Sequence, residues 1–277
     1  MIRKLLFVLL CGIITVTVTI IFFMKQPAKI MTIGEYEAMP HIDVTVDILN
    51  IKITDSPDDK IHVQIQGHTL NKNMLTISEE NNTFAIKEQK HKKNWTENIR
   101  FRPQDTIVVQ LPKSQNKTLT LSGKDGDVLI QDVTLDTVQL ETSAGITQLK
   151  NLSASNAKIQ SNDGNVTIAD SAIDHLEVTS TAGDVFMHAS LGLTSTIKTI
   201  DGQIKMTETK EQSKLHMKSV SGDIDTHYKE PPTSLQLTTD GPDIVIKLPT
   251  YDKETNLIGS GTNMLSAETK DGRILIK

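Results

Sequence analysis

The chain has almost no cysteine. Its one example, Cys11, lies in an apolar N-terminal run, so the rest of the 277 residues can form no disulfide, offers no thiol nucleophile and builds no cysteine-based metal site. Aromatic residues are also scarce, at 4%, which argues against a sugar-binding groove lined with rings. Neither sign of charge dominates. The net charge of −5 gives no electrostatic reason to expect a nucleic-acid partner. The sequence contains no H-E-x-x-H, no G-x-S-x-G and no phosphate-binding glycine loop, and GSGT at Gly259–Thr262 is too generic to count. Among the scattered histidines, His188 and His227 hold matching places in a repeat described below. They fall two units apart, roughly 10 Å in a stack with ~4.8 Å spacing, too far to share one metal ion. No catalytic, cofactor or metal residue is assigned.

What the chain does have is Thr, Ser, Asn, Asp, Val and Ile, a composition suited to many short strands with polar turns. It also has one long apolar run. Leu5 to Phe23 reads LLFVLLCGIITVTVTIIFF, nineteen residues without a charge, or roughly 28 Å of helix at ~1.5 Å per residue. Arg3 and Lys4 precede it, and the short N-terminal flank favours a cytoplasmic N-terminus and an exported remainder. A cleavable signal peptide would need small residues after the run, where the chain reads MKQPAKI. A lipoprotein would need a small residue before Cys11, where Leu10 stands. The expected organisation is a cytoplasmic tail at 1–4, a transmembrane anchor at 5–24, a linker at 25–40, irregular β coils at 41–121 and regular repeats at 122–277.

The regular repeats rest on glycine spacing. Gly126, Gly145, Gly164, Gly183 and Gly202 are nineteen residues apart, and Gly222 follows twenty later. Gly241 and, after a longer insertion, Gly272 keep the pattern. A fixed period of this size marks stacked repeats. Apolar residues recur two and four places after the glycine (Val128 and Ile130, Val166 and Ile168, Val185 and Met187) and five before it (Leu140, Ile159, Val178, Ile197). Spacing by two is strand periodicity. Nineteen residues cannot hold a helical crossover, so equivalent strands must stack in parallel and in register. The expectation is an all-β, right-handed parallel β-solenoid with coils of about nineteen residues, preceded by one transmembrane helix. Three before the glycine stands a column of small hydroxyls, Thr142, Ser161, Ser180, Thr199 and Ser219, able to bond one another or the turn backbone. Aspartates flank the glycine only intermittently, as at Asp125, Asp163 and Asp201. That is unlike the dense oxygen cage a calcium-binding solenoid needs in every rung.

Between Ile33 and Leu121 the repeat is looser, but strand-like runs persist at 47–53, 61–66, 74–78, 83–88, 106–111 and 118–121. One loop here is strongly basic. Lys90, Lys92, Lys93, Trp95, Arg100 and Arg102 are the candidate partner contacts, suited to an anionic envelope polymer or a lipid head group. The competing reading is a solvated hairpin tip with Trp95 folded back onto the sheet.

The units Ser161-Asn162-Asp163-Gly164-Asn165-Val166, Ser180-Thr181-Ala182-Gly183-Asp184-Val185 and Ser219-Val220-Ser221-Gly222-Asp223-Ile224 resemble the bacterial "putative adhesin" β-solenoid family of unknown function, which includes the LiaG-like envelope-stress proteins. Residues 47–53 and the strand ending Val109-Gln110-Leu111-Pro112 resemble its lead-in, and the likeness covers about 40–277. The resemblance implies a non-enzymatic protein of the cell membrane, crossing it once, with partners among envelope-stress membrane proteins or anionic wall polymer. Two other functions remain open. One is a self-assembling scaffold, joined through an exposed terminal strand, although the flanking charges of the last strand, Arg273–Lys277, discourage edge pairing. The other is a carbohydrate-active solenoid enzyme, which would need converging carboxylates on one face.

Overall fold

The structure, a computed structural model, describes residues 27–68, 70–89, 104–113 and 118–277. The apolar run at 5–24 therefore lies outside the described residues. Among the described residues no helix is long and apolar enough to cross a membrane.

Period-two sequences become strands throughout. The first half holds β1 (Lys29–Glu37), β2 (His41–Val46), β3 (Asn50–Asp55), β4 (Lys60–Gly67), β5 (Leu75–Glu80), β6 (Thr83–Glu88) and β7 (Thr106–Leu111). The repeats follow as β8 (Thr118–Gly123), β9 (Val128–Gln131), β10 (Thr134–Thr142), β11 (Thr147–Lys150), β12 (Ser153–Ser161) and β13 (Val166–Ala169). They continue as β14 (Ala172–Ser180), β15 (Val185–His188), β16 (Thr194–Thr199), β17 (Ile204–Thr209), β18 (Lys214–Ser219) and β19 (Ile224–Tyr228). The chain ends with β20 (Leu235–Asp240), β21 (Asp243–Ile246), β22 (Leu257–Ile258), β23 (Asn263–Thr269) and β24 (Arg273–Ile276).

Each repeat places one strand in each of two 12-stranded sheets. Sheet A aligns Val128, Thr147, Val166, Val185 and Ile204 in parallel register, and sheet B aligns Leu140, Ile159, Val178 and Ile197. These side chains, Thr147 among them, are buried between the sheets and form one continuous core. The apolar columns inferred from spacing are thus the inward faces, and each layer adds ~4.8 Å to the stack.

The turn columns have separate duties. Ser161 and Ser180 each donate to the carbonyl of the glycine three residues on, at 2.8 Å. Thr199, Ser219 and Thr269 accept from the backbone N–H of Gly202, Gly222 and Gly272 at 2.8–3.1 Å. The hydroxyls serve the turn backbone, which would otherwise carry buried unpaired groups. The glycines are needed for close approach. A Cβ on Gly164 would stand 1.8 Å from the Gly145 carbonyl oxygen, and one on Gly183 would stand 2.1 Å from that of Gly164.

A second turn column escapes a search for glycine. Asp132, Asn151, Asp170, Ala189 and Glu208 all adopt positive φ, between 45° and 58°, and recur every nineteen residues. Asn and Asp tolerate this conformation best, and the first three positions carry them. The interior residue that follows is Ser171 or Ser190 in two of the layers. Their hydroxyls take the N–H of Leu152 and of Ser171, respectively, from the preceding layer.

The stacking order departs from sequence order at both ends. The β2–β3 coil lies between the β6–β7 and β8–β9 coils. The β23–β24 coil lies between the β18–β19 and β20–β21 coils. Three expectations are corrected by this. The coils do not stack simply in chain order. The strand near Arg273–Lys277 is no sheet edge, because β24 pairs on both sides, with β19 and with β21. Much of the stretch read as a linker is strand: β1 pairs antiparallel with β4, and β4 with β7, so these two strands close sheet A beyond the β6–β7 coil. The physical reason is common to both ends. An interleaved coil is gripped by neighbours on both faces, and more distant chain closes the core.

A glutamate fastens each interleaved end. Glu88, nearly buried at the end of β6, accepts the N–H groups of Asp47, Ile48 and Leu49 at 2.7, 2.9 and 3.1 Å, fixing the turn between β2 and β3. Glu211 accepts from Thr233 N–H and hydroxyl at 2.9 and 3.2 Å and from Ser234 N–H at 3.0 Å. Burial pushes the Glu211 carboxyl up, but hydrogen bonds from Thr233, Asn263 and Ser234 outweigh it and hold the group below the usual glutamate range. A depressed carboxylate contributes stability that is complete above its unfolded value, about 4.3, and is lost as pH falls through the folded value. The terminal segment 233–262 is therefore expected to lose hydrogen-exchange protection as pH falls below about 4.3, relative to the central repeats. Glu211→Gln should weaken that protection at pH 6 and flatten its pH dependence.

Candidate functional site

The basic contacts expected from sequence, Lys90, Lys92, Lys93, Trp95, Arg100 and Arg102, lie outside the described residues. The described residues on their C-terminal side begin at Gln104, two positions after Arg102, and Gln104 lines a groove of about 450 Å³ on the outer face of sheet A.

The floor of the groove follows from strand alternation. Inward residues Ile51 and Val128 are buried, so their neighbours Lys52 and Leu129 face out, joined by Gln148 and Thr106. One rim is a hydrogen-bonded ladder of turn residues. Asn50 accepts the N–H of Asp127 at 2.9 Å, and Asp127 accepts the N–H of Ile146 at 2.8 Å. Ile146 is left 44% exposed on that rim. The opposite wall is Gly67–His68, where β4 ends. The His68 N–H donates to the Asp105 carboxylate at 2.8 Å, and a Cβ on Gly67 would collide with that same carboxylate. Residues from six separate stretches of chain, the sixth at Ala28, thus meet in a recess with an apolar patch, amides, one lysine and one histidine. That arrangement suits binding and orientation of an extended ligand.

The polar residues just after the repeat glycines serve the turn backbone. Asn165 and Asp184 accept the N–H of Asp184 and Gln203 in the next rung at 3.0 and 2.9 Å, and Asp223 accepts that of Arg273 at 2.8 Å. Oxygens committed to neighbouring turns do not converge on an ion. Among the described residues no group of three or more His, Cys, Asp or Glu side chains could hold a metal. His188 pairs with Thr207 across the sheet at 2.9 Å.

Sequence reasoning found the basic cluster by its charge and missed the groove, whose members are ordinary singly and distant in sequence. The one available signal was Gly67, a glycine within a β-branched strand run, which often marks close backbone approach.

The Toastrack DUF4097 family matches residues 39–277. Among solved structures, a "putative lipid binding protein" from Parabacteroides distasonis is similar at 13% identity and a TM-score of 0.59, covering 91% of this chain and 98% of its own. A "putative adhesin" from Bacteroides fragilis is similar at 16% identity and a TM-score of 0.53, covering 90% and 97%. Another "putative adhesin", from Parabacteroides distasonis, has 11% identity and a TM-score of 0.53, covering 90% and 94%. At these identities the likeness establishes the fold alone. A search of curated proteins found no significant match.

Proposed function

The chain belongs to the Toastrack DUF4097 family, and from this membership and the groove we propose a non-enzymatic binding protein of the cell envelope, tethered by residues 5–24, that takes a phosphate-bearing partner on the outer face of sheet A. The observation that carries the reading is the groove of about 450 Å³, lined at one point by Gln104, which follows the basic segment in the chain. Five cations, Lys90, Lys92, Lys93, Arg100 and Arg102, stand there against one anion, Glu97. A cationic segment raises the local concentration of an anionic polymer, and a recess with an apolar patch and amides orients it. The names of the structural neighbours, adhesins and a lipid-binding protein, agree with binding as the general role. A place in envelope-stress signalling or adhesion is part of the same proposal.

The test is a titration of the purified protein with lipoteichoic acid, with vesicles of anionic phospholipid and with an uncharged polysaccharide. Binding to one of the phosphate-bearing partners should weaken as salt rises. Reversing Lys90, Lys92 and Lys93 to Glu, or changing Lys52→Glu with Ile146→Asp, should each lower affinity at least about tenfold. The two anionic arms distinguish polymer from lipid head group. Equal binding of the uncharged polymer, or affinity unchanged in both variants, would overturn the reading.

A further inference from the structure

The two sheets are closed unequally at the C-terminal end of the stack. At the C-terminal end, sheet B finishes with β22, a two-residue strand laid antiparallel on β20, so its edge is short. Sheet A finishes with β21, whose four residues Asp243–Ile246 pair with β24 and, among the described residues, with no strand on the other side. Ile244 faces the core side, as its partner Ile274 does. Yet Ile274 is fully buried while Ile244 is 40% exposed. Ile246 is also only partly covered and packs against the core cluster. An open edge with apolar residues on its inner side is what natural sheets usually avoid.

The orientation of the free groups is fixed. Lys247 donates its N–H to Ile276, toward β24. Alternate residues of a strand point their hydrogen-bonding groups opposite ways, so the N–H and C=O of Ile244 and Ile246 point to the open side. The segment Asp243-Ile244-Val245-Ile246-Lys247 is self-complementary when laid antiparallel on a second copy with Val245 facing Val245. Ile244 then sits opposite Ile246, and the two exchange both pairs of outward N–H and C=O groups. Asp243 sits opposite Lys247, and both are exposed. The shift that places Ile244 opposite Ile244 faces Ile246 with Pro242, which has no N–H to give.

We propose that β21 is a homotypic docking edge, through which two copies of this chain join sheet A to sheet A by antiparallel pairing of Asp243–Lys247. The occupant is a second copy because the segment's charges match themselves in reverse and the inward isoleucines continue the core across the two-fold axis. Sheet B carries the extra layer β22, so the pairing runs through sheet A alone and the two stacks meet at an angle. Their β1 ends lie at opposite extremes of the pair. Such a joint links copies whose N-terminal ends point away from one another, and it is independent of the groove.

The experiment is sedimentation of the full chain in detergent over the micromolar range, with four forms: unchanged, Asp243→Lys, Lys247→Asp, and both together. Like charges directly opposite are unfavourable, so each single change should weaken self-association at least about tenfold. The double change should restore it, since it reverses both charges and keeps the match. Thermal melting of each form checks that the fold is kept; both side chains are exposed and little change is expected. A monomer at all concentrations would overturn the proposal. So would association that ignores the single changes, or a double variant that stays as weak as the singles.

Discussion

Gly183→Ala will destabilise the protein by at least about 3 kcal/mol, far more than one methyl group ordinarily costs. The added Cβ would lie 2.1 Å from the Gly164 carbonyl oxygen and 2.6 Å from its carbon. Both are backbone atoms in the adjoining turn, so no side chain can swing aside. Relief requires the turns to separate, and the Ser180 hydroxyl, which bonds the Gly183 N–H at 3.0 Å and its carbonyl at 2.8 Å, would lose its geometry as well. For a chain of this size the change should lower Tm by roughly 6–12 °C. Gly123→Ala is the matched control. A Cβ there meets Val46, Leu121 and Thr142 side chains at 3.6–3.7 Å, ordinary contact, and its effect should stay within about 1 kcal/mol. Equal losses at the two glycines would show that general flexibility, and not stacked-turn contact, explains the column.

Glu88→Ala will cost about 3–4 kcal/mol, because one carboxylate oxygen satisfies three backbone N–H groups in the turn between β2 and β3. Removing it leaves donors stranded beside Leu49, itself only 3% exposed. Glu88→Gln keeps a carbonyl acceptor but loses its charge, and should cost about 1–2 kcal/mol. Chemical denaturation of the three proteins gives this ranking directly. Hydrogen exchange should place the loss in residues 41–55 and the coils on either side. An Ala variant as stable as the parent would mean that solvent replaces the glutamate without loss.

The period was legible because every layer repeats one packing problem. A glycine where turns touch, a hydroxyl three residues earlier and apolar residues two and four later can be read as columns without coordinates. The order of the layers could not be read in this way. Ile274 and Ile224 satisfy the same inward position, and nothing in either residue says which layer lies above it. The fifty-residue gap between Gly222 and Gly272 hinted at an excursion, but not that the chain would come back beneath the β20–β21 coil. The stretch containing Lys29–Glu37 read as a linker because its strand has mixed burial and sits at an edge, where alternation is weakest. The candidate site divided likewise. Charge marked the segment from Lys90 to Arg102 in one dimension. The groove beside Gln104 exists only after Asn50, Gly67, Asp127 and Ile146 are brought together by strand pairing.

Interleaving governs which edges are open, and a disulfide test addresses it most directly. In a chain carrying Cys11→Ser, Lys218→Cys is combined either with Glu268→Cys or with Asp240→Cys. Lys218 and Glu268 are aligned neighbours on β18 and β23, joined by an ion pair of 2.8 Å. Their Cα atoms are separated by about 4.8 Å, within disulfide reach. Asp240 aligns with Glu268 from the far side, two layers from Lys218 and roughly 10 Å away. Under mild oxidation the 218–268 pair should crosslink within the monomer, and the 218–240 pair should remain as free thiols. Rapid bonding of 218 to 240, with 218 and 268 left unlinked, would mean that the coils stack in chain order and would contradict the architecture described.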